Sequence, residues 1–357
     1  MNKFLLSWTM LLVASLTLNS QNMDNRNTNR SIAPMEQLAL TQEWDKVFPK
    51  SDKVDHKKVT FVNRYGITLA ADMYIPKCMT GQLPAIAVSG PFGAVKEQSS
   101  GLYAQQLAER GYLTIAFDPS FTGESGGMPR RVASPDINTE DFSAAVDFLS
   151  VQPNVDANRI GILGVCGWGG IAIQSAINDP RIKATVASTM YDMTRVSANG
   201  YFDSEDTKEQ RNGKRAAMAT QRTEDYRNGE YTRAGGVVDP LPEDAPQFVK
   251  DYHAYYKTPR GFHPRSGNST DGWNMTSTLP FINFKFFEYA DELESAVLIV
   301  HGDKAHSYYF GKDTFAKLKG DNKQMLTIKG ASHCDLYDQI DIIPFDEITA
   351  FYKEYLK

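Results

Sequence analysis

The sequence predicts an α/β protein: a mostly parallel sheet with helices on both faces, interrupted by one helical insertion. Three observations carry this. Short, continuous apolar runs at 85–88, 113–117 and 160–163 alternate with segments of helical spacing, the pattern of strands buried on both faces. The alternation stops over 193–294, which is polar, charged and aromatic, and resumes at 296–300. The run at 160–164 leads straight into a glycine-rich turn and helix start.

The elements follow in order. Lys3, then the apolar stretch 4–18, then polar Asn19-Ser20-Gln21 read as a secretory signal peptide over 1–20, because the stretch is shorter than the ~20 residues a spanning helix needs. Export without a membrane span is expected. Residues 21–54 form a leader, polar at first and expected to become helical near 35–44. From Lys58 the period changes to two: 59–61 and 67–69 flank Arg64-Tyr65-Gly66 as a β-hairpin, and 73–76 continues its second strand. Strands at 85–88, 113–117, 160–164 and 184–188 alternate with helices at 103–110, 139–150 and 168–177. After the insertion come a strand at 296–300, a helix at 310–318, a strand at 325–328 and a last helix at 343–356. The core is thus 55–192 plus 295–357, with a helical cap insertion at 193–294.

Composition bounds the function. The 357 residues are 41% hydrophobic and 23% charged, an ordinary globular mix. Lys+Arg total 38 against 43 Asp+Glu, a net charge of −5 with no basic stripe, which argues against a nucleic-acid partner. His56, His253 and His263 are scattered without metal spacing, so no metal and no cofactor are expected. Three cysteines, Cys78, Cys166 and Cys334, cannot make a disulfide framework.

The most informative segment is Gly164-Val165-Cys166-Gly167-Trp168-Gly169-Gly170 after the strand. A sharp strand-to-helix turn lifts its central side chain clear of the sheet and demands small neighbours. Cys166 would sit at a helix N-terminus, where the macrodipole and free amides favour thiolate. It is the candidate nucleophile. His333, in Gly330-Ala331-Ser332-His333 after the last strand, lies at the carboxyl edge where ligands bind in open α/β sheets. It is the candidate base. Cys334, beside it, is expected to face the core.

Taken together, these residues resemble the α/β-hydrolase superfamily, and the Cys at the nucleophile position resembles its dienelactone-hydrolase-like branch, which includes bacterial hydrolases and fungal polyketide transferases. Supporting stretches are Gly90-Pro91-Phe92-Gly93-Ala94-Val95-Lys96-Glu97-Gln98, Ala116-Phe117-Asp118, Gly123-Glu124-Ser125-Gly126-Gly127 and His333-Cys334-Asp335-Leu336-Tyr337-Asp338. The resemblance covers about 55–357. It departs in two places. Trp168 stands where the second elbow glycine usually falls, and is expected to line the pocket or pack beneath the helix. The resemblance also implies an Asp after the penultimate strand, but Ala305 occupies that place. Asp303 is then the first choice for the acid and Asp192 the alternative; Asp335 is too near His333 in sequence.

An oxyanion hole requires backbone amides aimed at the developing charge. Gly167 supplies one. Pro91 has no N–H, so Phe92 is the first choice for the other and Gly93 the second. His306 is a candidate pocket residue, and His301, at a strand end, is expected to pack. The resulting expectation is an exported, cofactor-independent acyl hydrolase. It would act on a small-molecule ester, lactone or thioester through a Cys166–His333–Asp303 triad, with an apolar or aromatic substrate portion under the cap. Three readings compete: an acyltransferase with the same residues, a serine-peptidase-like member of the fold, and a non-catalytic binding protein with a degenerate pocket.

Overall fold

The computed structural model describes residues 34–77 and 79–357. The expected signal peptide, the first part of the leader and Cys78 lie outside the described residues. Eight strands form one sheet in the order β1-β2-β4-β3-β5-β6-β7-β8. β1 (Val54–Val62) and β2 (Thr68–Pro76) make the antiparallel hairpin. It joins β4 antiparallel, and every later pairing is parallel.

The parallel part is β3 (Leu83–Ser89), β4 (Leu113–Phe117), β5 (Val155–Val165), β6 (Ile182–Ser188), β7 (Ala296–Gly302) and β8 (Lys323–Ile328). All five residues of β4 and all seven of β7 are buried, as unbroken apolar runs require when helices cover both faces. Between strands run α1 (Ser99–Ala108), α2 (Pro135–Ser150) and α3 (Gly167–Asn178). α2 starts one turn earlier than its spacing predicts, because Ser134 caps it through the Ile137 amide and Pro135 opens it.

Between β6 and β7 the chain makes α4 (Met193–Asn199), α5 (Lys208–Asn228), α6 (Gln247–Tyr256) and α7 (Leu279–Asn283), joined by loops with two isolated bridges. The fold ends with α8 (Tyr308–Lys317), α9 (Asp335–Asp338) and α10 (Phe345–Tyr355).

The leader departs from expectation. Residues 35–44 are not helical. Their polar groups bond to the core instead: the Glu36 amide donates to Thr68 Oγ1 and the Thr41 amide to Glu124 Oε1. A chain without helix leaves its amides free to pair elsewhere, and buried acceptors here outcompete a local helix.

Beneath this segment lies a buried ionic cluster. The Lys96 ammonium is fully buried and stands 2.7–2.8 Å from carboxylate oxygens of Glu97, Asp118 and Glu124. Burial alone disfavours its charge, but Asp118 and the other carboxylates hold its pKa well above the usual lysine value. Arg265, from the insertion, reaches both Asp45 in the leader and Glu97. The three carboxylates have the proximity of a metal site, but Lys96 already occupies the cation position. The cluster ties leader, core and insertion together.

Candidate active site

Cys166 sits between β5 and α3 with φ 61° and ψ −128°. A non-glycine residue there costs about 1–3 kcal/mol and persists only when its surroundings dictate it. They do. A Cβ at Gly164 would lie 1.9 Å from the Trp168 carbonyl oxygen, and one at Gly167 would lie 2.8 Å from the Phe92 Cβ. Both positions must be glycine for strand, helix and the loop after β3 to meet.

Burial is the largest influence on the sulfur and opposes its ionisation, while the Tyr337 and Tyr252 hydroxyls and the Gly167 and Phe92 amides around it favour the thiolate. The two amides expected to form an oxyanion hole therefore converge on Cys166. The insertion fixes the Phe92 loop: Asn268 donates its side-chain amide to the Phe92 carbonyl (2.7 Å), while its backbone amide and the Ser266 hydroxyl reach the Gly93 carbonyl.

One expectation reverses. Burial raises the Cys166 pKa above the ordinary thiol value, outweighing these donors. The helix start does not by itself yield a thiolate.

His333 is buried and brought to the same place. Its Nδ1 lies 2.6 Å from Ser307 Oγ and 2.9 Å from Thr189 Oγ1. Its Nε2 lies 3.0 Å from the Tyr337 hydroxyl. Thr189 is itself strained, at φ 45°, a conformation a β-branched residue rarely adopts. Burial, reinforced by His306 and His301, pushes the His333 pKa well below its ordinary value. Among the described residues no direct hydrogen bond joins His333 to the Cys166 sulfur; the Tyr337 phenol that meets His333 Nε2 lines the same cavity as Cys166.

Neither acid candidate reaches His333. The Asp303 carboxylate turns away and accepts from the Gly330 amide at 2.7 Å. Asp192 caps α4, accepting from the Thr194 amide and hydroxyl and from the Arg195 amide. Hydroxyls, not carboxylates, satisfy Nδ1. Ser307 comes from the same loop after β7 in which the acid was sought, four residues beyond Asp303.

Trp168 does not line the pocket. It is buried in the core, edge-on to Phe117 and Phe142. His306 stands behind the pocket wall: it bonds the Tyr191 hydroxyl and stacks on Phe248 with centroids 4.3 Å apart. Burial lowers its pKa to about 4. His301 packs under the site, its Nε2 near the Met190 carbonyl. Cys334 is buried in the core, as expected.

The cavity over Cys166 encloses about 180 Å³. Phe92, Tyr191 and Tyr337 line it from the core, and Met193, Val196, Tyr201, Val237, Tyr252 and Asn268 from the insertion. No charged side chain is among them. α5, the longest helix, takes no part; Asp225 is its one buried residue.

Sequence reasoning missed Tyr337, Ser307, Thr189, Tyr191 and Tyr252. Only Tyr337 carried a signal, since it lies four residues after His333, one helical turn.

The Pseudomonas aeruginosa protein PA2218 is 56% identical over 90% of this chain and 86% of its own. Its crystal structure superposes with a TM-score of 0.87, covering 90% of this chain and 99% of that one at 55% identity. The thiohydrolase aneE of Aspergillus aculeatus is 32% identical over 38% of this chain and 42% of its own. The α/β hydrolase GrgF of Penicillium sp. sh18 shares the fold, with a TM-score of 0.70 at 18% identity, covering 85% and 99% of the two chains. The molecule thus has the fold of the α/β hydrolases. The model of the X-Pro dipeptidyl-peptidase family S15 matches residues 65–335, so the chain belongs to that family.

Proposed function

We propose that the protein is a cofactor-independent acyl hydrolase acting on esters, lactones or thioesters through a Cys166 acyl-enzyme. The observation that carries this is the strained Cys166 at the start of α3, with the Gly167 and Phe92 amides converging on its sulfur at the floor of an uncharged cavity. Similarity to a thiohydrolase supports the same chemistry.

Burial opposes charge on both partners, so the resting pair is a neutral thiol and a neutral imidazole. His333 takes the thiol proton as sulfur attacks the carbonyl. The carbonyl carbon gains the C–S bond while its oxygen becomes the oxyanion held by the two amides. The imidazolium then protonates the leaving group, and the neutral imidazole activates water for deacylation. Ser307 and Thr189 orient the ring through Nδ1.

A peptidase that recognises a free amino terminus needs an anion in its pocket. The lining here has none, which supports a neutral acyl group over a dipeptide. Export after removal of 1–20 belongs to the same proposal and is read from the mass of the mature chain.

A panel of p-nitrophenyl esters and acyl thioesters, run on wild type and Cys166→Ala, tests the reading. Turnover of neutral short-chain or aromatic acyl groups is expected in the wild type, with essentially none in the variant. Undiminished turnover by Cys166→Ala sinks it.

A further inference from the structure

The leader is stitched to the core where the insertion holds the Phe92 loop. The Val47 amide donates to the Glu97 carbonyl at 3.0 Å. A Cβ at Gly101 in α1 would lie 2.9 Å from the Phe48 ring, which packs there. Arg265 of the insertion donates through Nη2 to Asp45 Oδ2 at 2.6 Å and through Nη1 to Thr41 Oγ1 at 3.2 Å. The same Nη2 lies 2.8 Å from Glu97 Oε1. Just beyond Arg265 come Ser266 and Asn268, which hold the Gly93 and Phe92 carbonyls. We propose that residues 41–48 form a strap that sets the position of the Phe92 amide, with Asp45 as a positioning residue that acts through Arg265.

The link from Arg265 to the loop is stiff. Residues 263–269 close on themselves: the Ser266 amide donates to the His263 carbonyl at 3.0 Å and the His263 amide to Ser269 Oγ at 3.2 Å. A shift of Arg265 therefore carries Ser266 and Asn268 with it. Asn268 fills the space above Gly93, where a Cβ would lie 2.2 Å from its Oδ1. The turn cannot move without moving the loop. Hydrogen bonds to the Phe92 and Gly93 carbonyls fix the backbone on the carboxyl side of the Phe92 amide, and the Pro91 ring fixes φ on its amino side.

Asp45 matters because the other carboxylate close to Arg265 is shared. Glu97 Oε1 lies 2.8 Å from the Lys96 ammonium and 3.2 Å from that of Lys58. Without Asp45, Arg265 competes with two buried ammonium groups for one oxygen, and like charges meet there.

The effect on turnover rests on the proposed function, so hydrogen exchange, which needs no turnover, is the deciding measurement. Deuteration of the full chain is followed by peptide mass spectrometry in wild type, Asp45→Ala, Asp45→Glu, Arg265→Ala and the double alanine variant. The Asn268 amide, which donates to the Gly93 carbonyl at 3.1 Å, reports the clamp directly. In Asp45→Ala, peptides over 264–270 and 90–98 are expected to exchange about tenfold faster, with those of β5 and β6 unchanged. Asp45→Glu is expected to restore near-native rates. The double variant is expected to match Arg265→Ala, because Asp45 acts only through that guanidinium. In ester hydrolysis Asp45→Ala is expected to lower kcat about tenfold with KM unchanged, less than the roughly 10²–10³ that loss of an oxyanion donor costs.

Native exchange over 264–270 and 90–98 in Asp45→Ala overturns the strap. So does faster exchange confined to 36–48, the result for a leader that merely covers the core, and so do losses that multiply in the double variant. Thermal unfolding checks each fold. If Arg265→Ala does not fold, Asp45→Ala and its rescue by Asp45→Glu decide alone. Retained ester turnover in Cys166→Ala would instead refute the hydrolase reading and leave the exchange result standing.

Discussion

Ser307 holds the place where a catalytic carboxylate is expected, and replacing it measures what a hydroxyl contributes there. Its Oγ lies 2.6 Å from His333 Nδ1, in a fully buried setting. Ser307→Ala removes one neutral hydrogen bond and leaves Thr189 at 2.9 Å to hold the ring. Such a bond contributes roughly 0.5–1.5 kcal/mol. If all of it is felt in the transition state, kcat/KM falls by roughly two- to twelvefold. A triad carboxylate in that place typically carries about 10⁴ in kcat, so the two cases separate cleanly. Ser307→Asp goes the other way. A carboxylate beside Nδ1 favours the imidazolium and raises the His333 pKa, which in the native chain lies well below the ordinary 6.5. The base works only when neutral, so the acid limb of the kcat/KM profile moves to higher pH. The assay is ester hydrolysis from pH 4 to 9 for the three proteins, with thermal unfolding of each. A loss of about three orders of magnitude or more in a folded Ser307→Ala, or an unmoved acid limb in Ser307→Asp, would refute the reasoning.

Two further outcomes concern stability. Lys96→Met removes the ammonium from among three buried carboxylates; breaking a buried pair in this way costs about 3–5 kcal/mol. A urea midpoint shifted by less than the equivalent of ~1 kcal/mol would show that Arg265 and Lys58, whose ammonium lies 2.6 Å from Glu124 and 3.2 Å from Glu97, suffice. The buried histidines make the fold acid-sensitive: His301 and His306 titrate near pH 4 in the folded chain, against an ordinary 6.5. Between those values the unfolded chain binds more protons, so stability is fully present above about 6.5 and falls as pH drops toward 4. Urea midpoints at pH 7.5, 5.5 and 4.5 should decline in that order, and less steeply in His306→Gln; equal slopes in the two proteins would exclude His306 as a source.

The strands of the parallel sheet and the elbow were legible because they rest on local demands. Runs such as 113–117 and 296–300 cannot be solvated on either face, and the glycine spacing around Cys166 admits few backbones other than the turn observed. The Phe92 and Gly167 amides could be named beforehand because main-chain donors follow from the turn itself. The acid could not be placed. Asp303 and Ser307 share one loop, and which of them meets His333 depends on the path of that loop over Gly330, set by packing between β7 and β8. The non-helical path of 35–44 depends likewise on Glu124 and Thr68, far away in sequence, offering buried acceptors. The acidity of Cys166 shows the division most plainly. Its position at a helix start is local, and by itself favours thiolate. The cavity walls that Tyr252, Met193 and Val237 bring from the insertion exclude water from the sulfur. Desolvation is a property of everything that surrounds an atom, so tertiary structure alone decided that Cys166 rests as a neutral thiol and would need a base to act as a nucleophile.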